Sequence, residues 1–188
     1  MDLLSHLRQA TKDLHEATEE YSNASKIIDY SIEQKEYISL LQENYIAYKS
    51  IECAIAEKRP HTLLDKLMHT PEISSWISKD LNGDVPQASN TFRFNSAIEA
   101  LGGIYVITGS LLGGALLGKH LLECKNIQGK EHNFYSIKDR SRIGRWQNFK
   151  KEMSSSSFTP SEEESIIQGA NKAFQLFLDV FKTKNLTV

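Results

Sequence analysis

Apolar residues recur every three or four positions along nearly the whole chain, which is the spacing of amphipathic α-helices. Leu3, Leu7, Ala10, Leu14, Ala17 and Tyr21 keep that alternation and predict one helix over about 3–21. Ser31-Ile32-Glu33-Gln34 has the form of a capping box and predicts a helix to about Glu57, closed by Lys58-Arg59-Pro60. Its inward positions are Tyr37, Leu41, Tyr45, Tyr48, Ile51 and Ile55. Two short helical pieces are expected around 61–69 and 71–81, the second with Thr70 as cap and Pro71 in its first turn. Asn82-Gly83-Asp84-Val85-Pro86 reads as a turn, followed by irregular chain to about 95. A helix is predicted over 96–123, opened by the capping box Ser96-Ala97-Ile98-Glu99 and ended near Lys119-His120. After a loop near 124–138, Arg142 to Met153 forms a basic amphipathic helix, and Ser154 to Thr159 is a short linker. Thr159-Pro160-Ser161-Glu162 then starts the last helix, which carries Ile166, Ile167, Ala170, Ala173, Phe174, Phe177 and Phe181. No segment alternates with period two and no repeat is visible, so the expected fold is an all-α, single-domain bundle over residues 1–188.

Ala100 to Gly118 breaks the amphipathic pattern. It has no charge and holds six of the ten glycines. A glycine inside a helix costs about 1 kcal/mol relative to alanine, so this density requires a compensating contact. Length alone would allow a membrane span, and Gly109 to Gly113 and Gly114 to Gly118 both fit the small-residue spacing of membrane helix pairs. Every other segment is amphipathic, which favours a buried helix whose backbone is approached closely, with no membrane span. The net charge of −2, without a basic arm or cluster, speaks against a nucleic-acid partner. The first twenty residues lack a signal-peptide pattern, and two cysteines in no paired motif point to a reducing, cytoplasmic setting.

His15 lies at the edge of the first helix's apolar stripe, with Arg8 and Lys12 further round the same flank. A histidine there can ligate a metal in a pocket whose rim binds anions. Neutral imidazole is a common axial ligand of haem iron, and the haem propionates attract Arg and Lys. The alternative is a half-exposed surface histidine. Gly109 and Gly113, four apart, share a face against which a flat ligand can lie, with Gly102 and Gly103 supplying slack earlier; close helix packing is the alternative reading. Neither the Glu-x-x-His pair of di-iron bundles nor the His-Glu-x-x-His of zinc proteases occurs. Cys53 and Cys124 are expected as buried, inert thiols.

Together these residues resemble the haem oxygenase family. Leu7-Arg8-Gln9-Ala10-Thr11-Lys12-Asp13-Leu14-His15 is similar to that family's proximal helix, with His15 in the place of the iron ligand. Gly109-Ser110-Leu111-Leu112-Gly113-Gly114 is similar to its distal helix, and Tyr105-Val106 to the smaller bacterial members. Tyr45 and Tyr48 fall where the family has tyrosines, one near the distal hydrogen-bond network. Phe134-Tyr135 and Arg145 to Lys151 match a block offering a cation to a propionate, which would be Lys151, and Thr159 to Phe174 resembles the last helix, placing Phe174 against haem. The resemblance spans most of the chain outside about 60–95.

It implies haem bound between a proximal and a distal helix, as both cofactor and substrate, and opened with O2 to biliverdin, carbon monoxide and ferrous iron. With no flavin or nicotinamide motif, electrons come from a separate reductase of ferredoxin or flavoprotein type. The basic face made by Arg140, Arg142, Arg145, Lys150 and Lys151 would be its docking surface or a solvated helix. Ser110 stands where many members carry an aspartate that organises the distal water, although some bacterial members also have serine; Tyr48 would anchor the water instead. That substitution sustains the alternative of a non-catalytic haem carrier or sensor.

Overall fold

A computed structural model describes residues 2–69, 71–136 and 141–185. The described residues form nine α-helices and one short 3-10 turn. The first apolar stripe forms two helices, α1 (Leu3–Ala10) and α2 (Lys12–Tyr21). The expected continuous helix bends at Thr11, a buried residue with φ −103° and ψ 0° whose hydroxyl donates to the Leu7 carbonyl at 2.8 Å. Such back-bonding by a β-branched hydroxyl within a helix commonly bends it. Only Leu7 of the predicted stripe is fully buried, whereas Leu3, Leu14 and Ala17 are half-buried and Ala10 and Tyr21 are exposed.

A short α3 (Ser25–Ile28) leads to α4 (Gln34–Ala56). Its N-cap is Glu33, not Ser31, because Asp29 takes both the Ser31 N–H (3.0 Å) and hydroxyl (2.5 Å). The cap is completed by Glu36, which accepts the Glu33 N–H at 2.9 Å. Of the inward positions, Tyr37, Leu41, Tyr48, Ile51 and Ile55 are buried and Tyr45 is half-buried. Two short helices follow, α5 (Thr62–Leu67) and α6 (Ile73–Asp80). Pro71 falls before α6, whose N-cap is Glu72, and Thr70 lies outside the described residues. The first N–H groups of α6 find a distant partner: Glu52 of α4 accepts from Ile73 at 2.7 Å and from Ser74 at 3.3 Å.

The glycine-rich segment is one helix, α7 (Ala97–Leu121), with Ser96 accepting the Glu99 N–H at 3.0 Å. The Glu99 carboxylate accepts the Asn95 N–H and pairs with Lys172 at 2.7 Å. After α8 (Ser141–Ser155), the helix α9 (Pro160–Asn185) begins with the predicted reciprocal cap: Thr159 N–H to Glu162 at 2.8 Å, and Glu162 N–H to Thr159 Oγ1 at 3.3 Å. Ile166, Ile167, Ala170, Ala173, Phe174, Phe177 and Phe181 are all buried.

The α7–α9 pair is the centre of the fold. A Cβ on Gly102 would strike the backbone of Ile166 and Ala170, and one on Gly169 would strike the Glu99 carbonyl. Gly103 lies under the Phe94 ring. These glycines therefore serve close packing and do not supply slack for a ligand. α7 is long and apolar enough to cross a membrane, yet half of its most apolar stretch is buried against the rest of the fold. Cys124 is buried and donates to the His120 carbonyl at 3.4 Å, whereas Cys53 is exposed, contrary to expectation.

Candidate active site

α2 and α7 both pack on α9 and have little direct contact with one another. On α2, the His15 side chain is 52% exposed. Its ring meets Phe174 of α9 edge-on at 5.5 Å, and its Nδ1 lies 3.7 Å from Glu19 one turn further on. Phe174 is buried, so it fixes one side of an imidazole that is otherwise open to a ligand.

On α7, Leu112 (41%) and Leu116 (55%) are exposed on either side of Gly113. Nothing lies within 4 Å of where a Gly113 Cβ would stand. Exposed leucines beside bare backbone offer an apolar wall that a flat ring can approach closely. The other glycines are covered. The Gly109 face looks onto Trp146 at 3.6 Å, Gly114 onto Tyr135 at 3.7 Å, and Tyr105 packs with Trp146 and Phe149 of α8 at centroid distances of 5.8 and 6.1 Å.

Tyr48 and Ser110, distant in sequence, meet at 2.5 Å between hydroxyl oxygens. Ser110 Oγ also reaches the Ile107 carbonyl at 3.0 Å. That carbonyl takes the serine proton, so Tyr48 donates and Ser110 accepts. Burial holds the Tyr48 phenol protonated far above its usual range, with the Ser110 hydrogen bond opposing the shift. Ser110 Oγ thereby keeps one acceptor site for a water. The Tyr48 ring is held edge-on by Phe134 at 5.3 Å and Phe177 at 5.1 Å.

The loop carrying Phe134 and Tyr135 is clamped by residues that local sequence pattern does not single out. Asp80 accepts the Asn133 and Phe134 N–H groups at 2.7 and 2.8 Å, while the buried Arg142 guanidinium donates to the carbonyls of the same two residues. Arg142 and Arg145 both lie over the Trp76 ring, at 4.3 and 4.6 Å, and Arg145 donates to the Pro71 carbonyl at 2.8 Å. This corrects the expected basic face, because two of its five cations are buried structural groups. Arg140 lies outside the described residues, leaving Lys150 and Lys151 exposed. Arg8 is exposed, and Lys12 pairs loosely with Glu16 at 3.7 Å.

The geometry of Gly113 separates fold from site. Gly113→Ala should raise the stability of the ligand-free chain by up to about 1 kcal/mol, since nothing opposes the new methyl. The same methyl should weaken binding of a flat ligand against α7. Thermal melting with and without haem checks both signs; equal stabilisation in the two states would remove Gly113 from the binding wall.

The family model for "Heme oxygenase" matches residues 1–84 and 77–183. Heme oxygenase 1 of the cyanobacterium Synechocystis is 23% identical over 203 residues, covering 96% of this chain and 84% of that protein. Among solved structures, the heme oxygenase of Leptospira interrogans superposes with a TM-score of 0.78 at 22% identity, covering 97% of this chain and all of that one. Synechocystis heme oxygenase-1, solved in complex with heme, also gives 0.78 at 20% identity, covering 100% of this chain and 95% of that one.

Proposed function

The chain belongs to the haem oxygenase family, and we propose that it oxidatively opens haem to biliverdin, carbon monoxide and ferrous iron, using O2 and electrons from a separate reductase. The observation that carries this reading is His15, an open imidazole set between Phe174 and Glu19 on a helix that flanks the same α9 as the glycine wall. The residues fit the group. A half-exposed imidazole suits the iron, the Leu112–Gly113–Leu116 surface suits the flat macrocycle, and Arg8, Lys12 and Lys151 are exposed cations available to propionates.

When bound, haem supplies both the iron that activates O2 and the ring that is oxidised. The chain supplies the rest. His15 holds the ligand from the α2 side, and a neutral histidine donates less charge than a thiolate. Gly113 allows close approach from the α7 side. Ser110, its proton committed to Ile107 and its oxygen addressed by Tyr48, holds a water as an acceptor, the role that a carboxylate would otherwise fill. Tyr105 and Gly109 position this wall through Trp146. Gly114, against Tyr135, joins the helix to the clamped loop. Electrons enter from a ferredoxin or flavoprotein, with Lys150 and Lys151 as the cations still available for docking. Both cysteines are free thiols, in keeping with a cytoplasmic setting.

Ser110 is the feature that favours a second reading, a haem carrier or sensor without turnover. A single-turnover reaction separates the two. Reconstituted protein given reductant and air should lose its haem absorption and yield bilin by chromatography. A haem spectrum that survives this treatment would establish the carrier.

A further inference from the structure

Behind the distal wall, a small, partly open chamber of about 20 Å³ lies where α4, α6, α7 and α8 converge. Glu52, His69, Thr108, Arg145, Ile104 and Ile107 line it. Glu52 is 2% exposed and spends one carboxyl oxygen on the Ile73 and Ser74 N–H groups, at 2.7 and 3.3 Å. Its other oxygen, Oε2, and the ring nitrogen Nε2 of His69 are both buried and have no hydrogen-bond partner among the described residues. Thr108 donates to the Ile104 carbonyl at 2.6 Å, leaving its oxygen able only to accept. Two orphaned buried polar atoms lining one chamber require a ligand, and this volume accommodates a single water.

We propose that the chamber is a built site for one ordered water joining Glu52 Oε2 to His69 Nε2, and that carboxyl and water together form a proton store serving the Tyr48–Ser110 pair. The second half of this proposal rests on the haem oxygenase reading; the first does not. With Glu52 protonated, its hydroxyl donates to the water and the water donates to Nε2 of a neutral His69. When the proton leaves, the water turns and donates to the carboxylate. The store exchanges one proton with its surroundings and no electrons.

The electrostatics agree with the geometry. Burial pushes the Glu52 carboxyl up to about 7, helped by the nearby Glu72 and opposed by the Ser74 and Ile73 hydrogen bonds. Burial and the Arg145 charge lower the His69 imidazole and keep it neutral. The groups facing Glu52 are therefore Glu72 of the α6 cap, Lys49 (paired with Glu72 at 2.6 Å), Arg145 of α8, His69 and Tyr48. The link to the distal pair runs through shared residues. Tyr48 is one turn before Glu52 on α4 and feels its charge. Ile107 lines the chamber and accepts the Ser110 hydroxyl with its carbonyl.

Infrared spectroscopy of the ligand-free full chain tests the store. Wild type should show a protonated-carboxyl band at about pH 6 that is lost by about pH 8.5 and is missing from Glu52→Gln. A high-resolution crystal structure should show one water bonded to both Glu52 and His69. The unfolded carboxyl releases its proton near 4.5 and the folded one near 7. Wild-type stability should therefore fall relative to Glu52→Gln as pH rises between these values. No carboxyl band at about pH 6, or a dry chamber, would overturn the site. Should Glu52→Gln not fold, His69→Leu removes the water's second partner, and an unaltered band there would also overturn it. In the haem-loaded protein, the pH at which ferric-bound water ionises should move by about half a unit between wild type and Glu52→Gln. No movement, with the infrared result intact, would refute the link to the distal pair alone. Failure to bind haem would refute the functional reading while the chamber result stood.

Discussion

His15→Ala is expected to abolish imidazole ligation of haem and lower turnover by more than about 100-fold, beyond the loss usual for groups that merely support a ligand. The fold should survive. His15 is 52% exposed on α2, and its ring meets Phe174 edge-on. Replacing such a side chain changes stability by no more than about 0.5 kcal/mol as a rule. The prediction is specific because the other histidines have different surroundings. His132 is bonded to Tyr37 at 2.7 Å, His120 to Tyr30 at 3.2 Å, and His69 lines the small chamber beside Glu52. His61 stands at the N-cap position of α5, and His6 is exposed on α1. Replacement of any of these five should leave the visible spectrum intact. The decisive measurement is the ferric haem spectrum of His15→Ala before and after addition of imidazole. Exogenous imidazole should restore the native form. A variant that keeps that form unaided would remove His15 from the iron.

The contrast between what pattern reveals and what it hides is clearest at the helix ends. Thr159 and Glu162, three apart, cap α9 by contacts within one turn, and their spacing announces it. Ser31 carries the same kind of signal and fails, because Asp29, two residues away, competes for its donors. α6 shows no local cap at all, since its N–H groups go to Glu52 on another helix. The same division runs through the site. The helical positions of His15, Gly113 and Phe174 are legible in the apolar spacing, while their part in a site rests on the resemblance of the surrounding motifs. The Tyr48–Ser110 bond joins residues 62 apart, and the buried roles of Arg142 and Arg145 depend on Trp76. A basic residue on an amphipathic helix ordinarily reads as solvated. Only the tertiary fold shows that a distant indole and three carbonyls take these charges inside. Gly102 and Gly103 are a milder case: their number signals close approach, but not whether ligand or helix approaches.

That last distinction can be measured. Gly169→Ala and Gly102→Ala should each destabilise the ligand-free protein by roughly 3 kcal/mol or more, at the upper end of what overpacking usually costs. In both cases the new methyl meets main chain of the partner helix: the Glu99 carbonyl for one, Ile166 and Ala170 for the other. Side chains can rotate away from an intruder, but backbone can yield only if α7 and α9 move apart. Separation would also strain the Lys172–Glu99 pair, at 2.7 Å, and the buried contacts that α9 makes along its length. Alanine's helix propensity returns about 1 kcal/mol, too little to offset this. For a chain of this size each kcal/mol corresponds to roughly 2–4 °C in Tm, so a fall on the order of 10 °C is expected from either substitution. Gly144→Ala on α8 provides the control, because no atom lies within 4 Å of its added methyl, and its Tm should hold or rise. If Gly169→Ala melted with Gly144→Ala and wild type, the two central helices would not cross at backbone contact. The glycines of α7 would then have to be explained together as a ligand surface.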